Sequence, residues 1–462
     1  MTPSPNAGRV GIEASMTRAP TSPKFVTGSI MRHVVTMTLT GALGLMAMFF
    51  VDLVDLYFLS LLGDTNVTAA IGYAGAISFA NLSVGLGIGI AAAALVARNL
   101  GAQKPERAKE FATSTLLFAL LASAVYTIAV AILADPLLQL LGATGQALNL
   151  AKRFIWTLTP GFILLSGAAN CSFCLRGLGD PRRAMFITLS SAIVTAILDP
   201  ILIFGFNLGI QGAAIANVIA YAIAFLIGLH GLSRVHNFLN RMTLRGLKQD
   251  FKDIWGIAFP SILTQLATPF AAAYMTYAVS PFGNEAVAAS AIVSRIVPVA
   301  FGIIFSLSGS VGPIIGQNFG AKDFGRVRQT LYDGMRFSVV YTLITSALLY
   351  VFRHPLADAF LASGRTKDLI VFFCTFIAIS WAFAGAQFVA NAAFNNLGRP
   401  KLSTLVNWAK ATLGTIPFAI AGGWYAGAEG IMAGVAVGSV IFGIASVLLA
   451  YKIVGNLEPG TT

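Results

Sequence analysis

The chain has 462 residues, 56% of them hydrophobic and 10% charged, with a net charge of +12. A soluble domain carries about 25% charged residues, so this composition excludes a water-soluble enzyme and points to an integral membrane protein. The basic excess lies in alternate loops, a topology signal rather than a nucleic-acid footprint.

Residues 1–31 are rich in Ser, Thr, Pro and Gly and lack the apolar core of a signal peptide, so they read as a disordered cytoplasmic tail. Apolar stretches of spanning length follow at 34–62, 68–98, 111–141, 147–176, 184–207 and 210–233, and then at 253–281, 285–317, 327–354, 367–397, 401–423 and 428–452. Their helical period and length, most above the ~20 residues needed to cross, exclude an outer-membrane barrel and predict twelve transmembrane helices. Three cysteines (Cys171, Cys174, Cys374) make no disulfide framework and read as small core residues.

The loops fix an orientation. Basic residues follow helices 2 (Arg98 to Lys109), 4 (Arg176 to Arg183), 6 (Arg234 to Lys252), 8 (Lys322 to Arg328) and 10 (Arg399, Lys401), whereas GDTNVT, FNLGIQG, PFGNE and WYAGAEG carry none. Positive-inside places both termini in the cytoplasm of a multi-pass inner-membrane protein.

The second half repeats the first. RNLGAQ after helix 2 answers QNFGAK after helix 8, with Gly101 and Gly320 219 residues apart; RGLGDP answers NNLGRP, with Gly179 and Gly398 again 219 apart. Six helices per copy preserves direction, so the copies are parallel: an N-terminal lobe at 32–233, a cytoplasmic linker at 234–252, a C-terminal lobe at 253–455 and a tail at 456–462. Such a repeat is a transporter architecture with its site near the midplane between the halves.

Two acids interrupt the apolar segments of the first lobe, Asp55 in GLMAMFFVDLVD and Asp199 in AIVTAILDP. An ionisable residue at that depth marks an ion path, a proton relay or a substrate site. Each lies eight residues before the outer end of its helix, so both sit roughly 12 Å below that end. Asn217 and Phe154 reach the same level from helices 6 and 4, and Thr195 lies one turn below Asp199. Asp52 neighbours Asp55 one turn away, and two close carboxylates in low dielectric cannot both ionise cheaply. In the second copy Met275 and Pro417 replace the acids, so the fold of the repeat does not require them. That lobe carries instead Arg295 and Lys410 at membrane depth, with Gln265, Asn391 and Gln387 as polar positions. No phosphate-binding loop, metal-ligand cluster or nucleophile–base pair is recognisable, so no cofactor and no enzyme activity are expected.

These anchors resemble the multidrug and toxic compound extrusion (MATE) family. The resemblance rests on DLYFLSLLG (Asp55 to Gly63), LRGLGD at 175–180, LDPILIFGFNLGIQGAAIA (Leu198 to Ala216) and GQNFGA (Gly316 to Ala321). It implies a V-shaped, two-lobed, monomeric carrier that works as a cation-coupled antiporter and expels organic cations and other amphipathic compounds. H⁺ is the expected coupling ion, with Na⁺ as the alternative. Asp55, Asp199, Asp52, Asn217 and Thr195 are the expected ion-coupling residues; Phe154, Gln265, Asn391, Lys410 and Arg295 are the expected substrate cleft. The chain departs from the family where Thr195 replaces a usual Asn, Phe154 a Tyr and Asn217 a frequent Thr. A lipid or lipid-linked oligosaccharide flippase of the same superfamily is the second reading.

Overall fold

The computed structural model describes residues 22–60 and 65–457. All regular structure there is helical: α1 (Ile30–Ser60), α2 (Thr65–Gly101), α3 (Pro105–Leu140), α4 (Gly145–Gly177), α5 (Pro181–Pro200) and α6 (Ile210–His230) form the first lobe. The second holds α7 (Leu244–Val279), α8 (Asn284–Gly320), α9 (Phe324–Val351), the short α10 (Arg353–Ala359), α11 (Gly364–Phe372), α12 (Trp381–Asn396), α13 (Pro400–Thr412) and α14 (Ile416–Gly455). Helix starts follow local chemistry. Pro105, Pro181 and Pro400 open α3, α5 and α13, where a missing N–H costs nothing. Asp180 and Asp323 cap α5 and α9 by accepting the amide N–H of Arg183 and Arg326.

Among the described residues, eleven helical stretches are long and apolar enough to cross a membrane, and the last, Pro400–Gly455, doubles back on itself. The helix breaks at Ala426 and Gly427, where Gly427 takes φ 61°, ψ −136°. Beyond the break, Gly430 packs on Gly422, Gly434 on Phe418 and Gly438 on Gly414, the signature of an antiparallel helix pair. α11 and α12, joined through a π-helical turn at Phe373–Ile377 and a 3-10 turn at Ala378–Ser380, make one crossing. Twelve crossing segments result, as the sequence predicts.

The repeat is visible in the backbone. Left-handed residues recur at Gln103 and Lys322, Gly142 and Leu361, Gly145 and Gly364, and Gly179 and Gly398, each pair 219 apart, and at Gly209 and Gly427. The lobes meet through the same symmetry. α2 crosses α8 so closely that a Cβ on Gly101 would strike the carbonyl of Gln317, and a Cβ on Gly320 that of Arg98. Arg98 donates to the Asn396 carbonyl at 2.9 Å; its counterpart Gln317 donates to the Gly177 carbonyl, the counterpart of Asn396, also at 2.9 Å. α1 packs on α8 as α7 packs on α2.

Two boundaries differ from expectation. Residues 22–29 were expected within a disordered tail, yet they pack across both lobes. Phe25 is 3% exposed. Its N–H donates to Gln317 Oε1, and its carbonyl accepts from Asn318 and Arg326. Lys24 Nζ reaches the Gly179 carbonyl in the first lobe. The reason is polar satisfaction: a short apolar anchor supplies the carbonyls that a buried amide and a guanidinium need. The linker also ends earlier than 252, because Thr243 caps α7 by accepting from Gly246 N–H. It is held down by His236 on Asp180, by the Asn240 amide on Thr113, and by Asp250 at the start of α7, which pairs with Arg107 at 2.6 Å and accepts from Ser114. These contacts tie the basic loops to one another, so they share one face of the molecule.

Candidate functional site

α1 and α5 run parallel, and small residues set their approach. A Cβ on Gly44 would collide with the Thr188 hydroxyl, so only glycine lets the two helices close at that level. Eleven residues further along both helices stand Asp55 and Asp199. Eleven residues are close to three full turns, so the pair returns to the same mutual face. The two carboxyls act on each other directly. Asp199 is fully buried, and the group that faces it is the Asp55 carboxyl. Asp55 is half-buried, with Oδ1 shielded from solvent.

Asp199 also sits where α5 ends. Pro200 withholds an N–H, and the chain continues as a π-helical turn over Ile201–Gly205 before Gly209 turns it back into α6. Wide turns of this kind recur at functional positions because they release backbone groups and re-aim side chains.

The other expected coupling residues are arranged differently. Thr195 is buried at 5% exposure on the same face as Asp199, but makes no hydrogen bond to either acid among the described contacts. Asn217 donates its amide to the Ala213 carbonyl of its own helix at 3.0 Å instead of reaching across to α5. The Asp52 side chain lies outside the described residues.

The expected cleft residues divide. Phe154 is a core residue: it is 8% exposed and packs among Leu59, Val67, Ile155 and Ile203. An aromatic at the right depth is drawn into the lobe's apolar interior when its helix turns that face inward. Arg295 is exposed and forms no ion pair among the described residues. Gln265 and Lys410 are half-buried in the second lobe. Asn391 is buried within an amide ladder, accepting from Asn407 at 3.1 Å while Gln387 donates to Asn407 at 3.4 Å. Asn407 was not singled out from the sequence, although it lies sixteen residues from Asn391 across one helix turnaround.

Arg176 was also missed, having been read as a loop charge. It is 9% exposed, lies over the Phe173 ring at 5.6 Å and reaches between α1 and α8, where a Cβ on Gly309 would come within 2.8 Å of Nη1. The repeat itself held the signal, since its counterpart 219 residues on is the polar, buried Asn395.

The chain is similar in sequence and fold to known proteins. The chain is 28% identical to the FAD transporter of Shewanella oneidensis over 437 residues, covering 93% of this chain and 96% of that one. It is 24% identical to the multidrug export protein MepA of Staphylococcus aureus over 445 residues, covering 95% and 97%. Among solved structures, the Vibrio cholerae MATE transporter VcmN in its bent form superposes with a TM-score of 0.88 at 25% identity, covering 93% of this chain and 98% of that one. The MatE family profile matches residues 42–201 and 260–421, one copy of the repeat each, and the first match contains both Asp55 and Asp199. With the twelve crossing segments in two lobes, that match settles the identification: this chain belongs to the MATE family.

Proposed function

We propose that the protein is a proton-coupled exporter of small amphipathic molecules, in which the Asp55–Asp199 pair carries the coupling proton. Members of the family are transporters and not enzymes. The observation that carries the reading is the carboxyl pair itself, two acids from separate helices facing each other inside a lobe. Two charges side by side in low dielectric are costly. A proton taken from outside relieves that cost and lets α1 settle against α5; its release inside restores the repulsion. The two lobes then alternate their opening around a shared cleft.

The basic loops face the cytoplasm of the inner membrane in this reading, with both termini on the same side and one chain as the working unit. MepA is named a multidrug exporter and the Shewanella oneidensis relative an FAD transporter, so the cargo here is a small organic molecule with an apolar body.

The test is efflux of a fluorescent organic cation from proteoliposomes under an imposed pH gradient or an imposed Na⁺ gradient. The pH gradient alone is expected to drive efflux. Asp55→Asn keeps shape and hydrogen bonding but cannot titrate, and is expected to lower pH-driven efflux at least about a hundredfold with normal folding. Efflux driven only by Na⁺ would overturn proton coupling, and normal pH-driven efflux by the Asn variant would overturn the role of Asp55.

A further inference from the structure

The second lobe has no acid pair, but its crossing segment at 400–423 is interrupted at a level where the first lobe's α5 is still continuous. α13 stops at Thr412, three residues turn, and α14 starts at Ile416. Irregular backbone at membrane depth is tolerated only inside protein or along a cavity, and broken helices commonly build transporter binding sites. Lys410 stands in the last turn before this break.

Lys410 is half-buried, and its ammonium forms no hydrogen bond and no ion pair among the described residues. A lysine near a helix end ordinarily compensates the exposed carbonyls. Here those carbonyls already have partners: Gly414 N–H donates to Ala409, Thr415 N–H to Thr412, and the Thr415 hydroxyl to Lys410 itself at 2.9 Å. The counterpart of Lys410 in the first lobe, 219 residues earlier, is the half-buried Ser191, so the repeat packs without a cation at this position. One turn before Lys410 on the same helix is Asn407, the centre of the amide ladder with Gln387 and Asn391. An uncompensated cation beside neutral amides, on a helix broken at membrane depth, lacks only an oxyanion.

We propose that Lys410, beside the satisfied amide ladder of Asn407, forms an anion-accepting subsite in the second lobe, taking the carboxylate or phosphate of an otherwise apolar or aromatic cargo. This rests on the reading of the chain as an exporter, and makes the two lobes opposite in polarity: acids in the first, an ammonium in the second. Preferred cargo is then amphoteric or anionic rather than purely cationic.

The experiment measures binding to purified full-length protein in detergent at neutral pH, with matched probes that differ only in charge: riboflavin against riboflavin 5′-phosphate, and 1-naphthylacetate against its methyl ester. Wild type is expected to bind at least one anionic partner about tenfold more tightly than its neutral twin, the scale of one charge-assisted hydrogen bond. Lys410→Gln is expected to bring that ratio near one, and Lys410→Arg to retain most of it. Asn407→Asp, which places a competing carboxylate one turn away, is expected to abolish the preference even if the Gln variant folds poorly. A preference in either probe pair that depends on Lys410 supports the subsite. Equal binding of twins by wild type, or a preference that survives Lys410→Gln and Asn407→Asp, overturns it. Because no ion gradient is present, failure here leaves proton coupling standing, and loss of gradient-driven efflux by wild type leaves this result standing.

Discussion

Asp180 shows how much one residue can hold at a lobe's edge. It caps α5, takes a 2.6 Å ion pair from Arg183 and accepts from His236 of the linker at 2.9 Å. Burial alone would raise its carboxyl, but the hydrogen bonds from His236 and Arg183 outweigh it and hold Asp180 well below the usual carboxylate range. A carboxyl depressed on folding contributes stability that is complete above its unfolded value, near 4, and is lost as pH falls toward the folded value. Asp180→Asn is therefore expected to cost about 1.5–3 kcal/mol at neutral pH. In thermal melts the gap to wild type stays constant from pH 8 to about 5 and narrows below about 4; a gap independent of pH would refute the assignment. The candidate coupling pair was legible at this scale because acids in apolar helices are rare and their distances from the loops match. The roles of Asn217 and Phe154 were not. Depth along a helix says nothing of azimuth, and an asparagine can satisfy its amide on its own carbonyls.

Among elements, glycine decides the contacts. α14 turns back on itself by stacking Gly430, Gly434 and Gly438 against the preceding helical arm. A Cβ at Gly438 would run into the Gly414 carbonyl, and backbone cannot swing aside as a side chain can. Gly438→Val is expected to cost about 1–3 kcal/mol or more by overpacking. Gly72→Ala, whose Cβ would meet nothing, is expected to be neutral or to stabilise by up to about 1 kcal/mol through helix propensity. Melting temperatures of the two variants in one detergent check both; equal behaviour would refute the packing account. The repeat was legible here because turn glycines recur at a fixed offset and backbone geometry leaves little choice of residue there. The packed segment at 22–29 was not. Its composition reads as loop, and its partners Gln317, Asn318 and Arg326 stand some three hundred residues away, beyond any local pattern.

For the whole molecule, the basic loops gather on one face, and the described contacts between lobes lie toward that face. In the proposed reading this face is the cytoplasmic one. The three native cysteines are all buried, which keeps the labelling background low. Cysteines at the exposed positions Arg182 and Lys248 are expected to react with a membrane-impermeant maleimide only in inverted vesicles, and one at the exposed Asn284 only in intact cells. Reaction of Lys248→Cys from outside would reverse the topology.

The crossing of α2 and α8 at Gly101 and Gly320 has a mechanical side. Each helix has 37 residues, α2 spanning roughly 55 Å and α8 bending at Phe301, with the backbone-to-backbone contact at one extremity. In the proposed alternating cycle that contact serves as a fulcrum, with the helices as its lever arms. A tilt of about 5° leaves the atoms at the crossing nearly in place, yet sweeps the far ends of the arms by roughly 5 Å at that length. A bulkier residue at the fulcrum would act like a shim under a lever, small where it sits and magnified at the opposite rim.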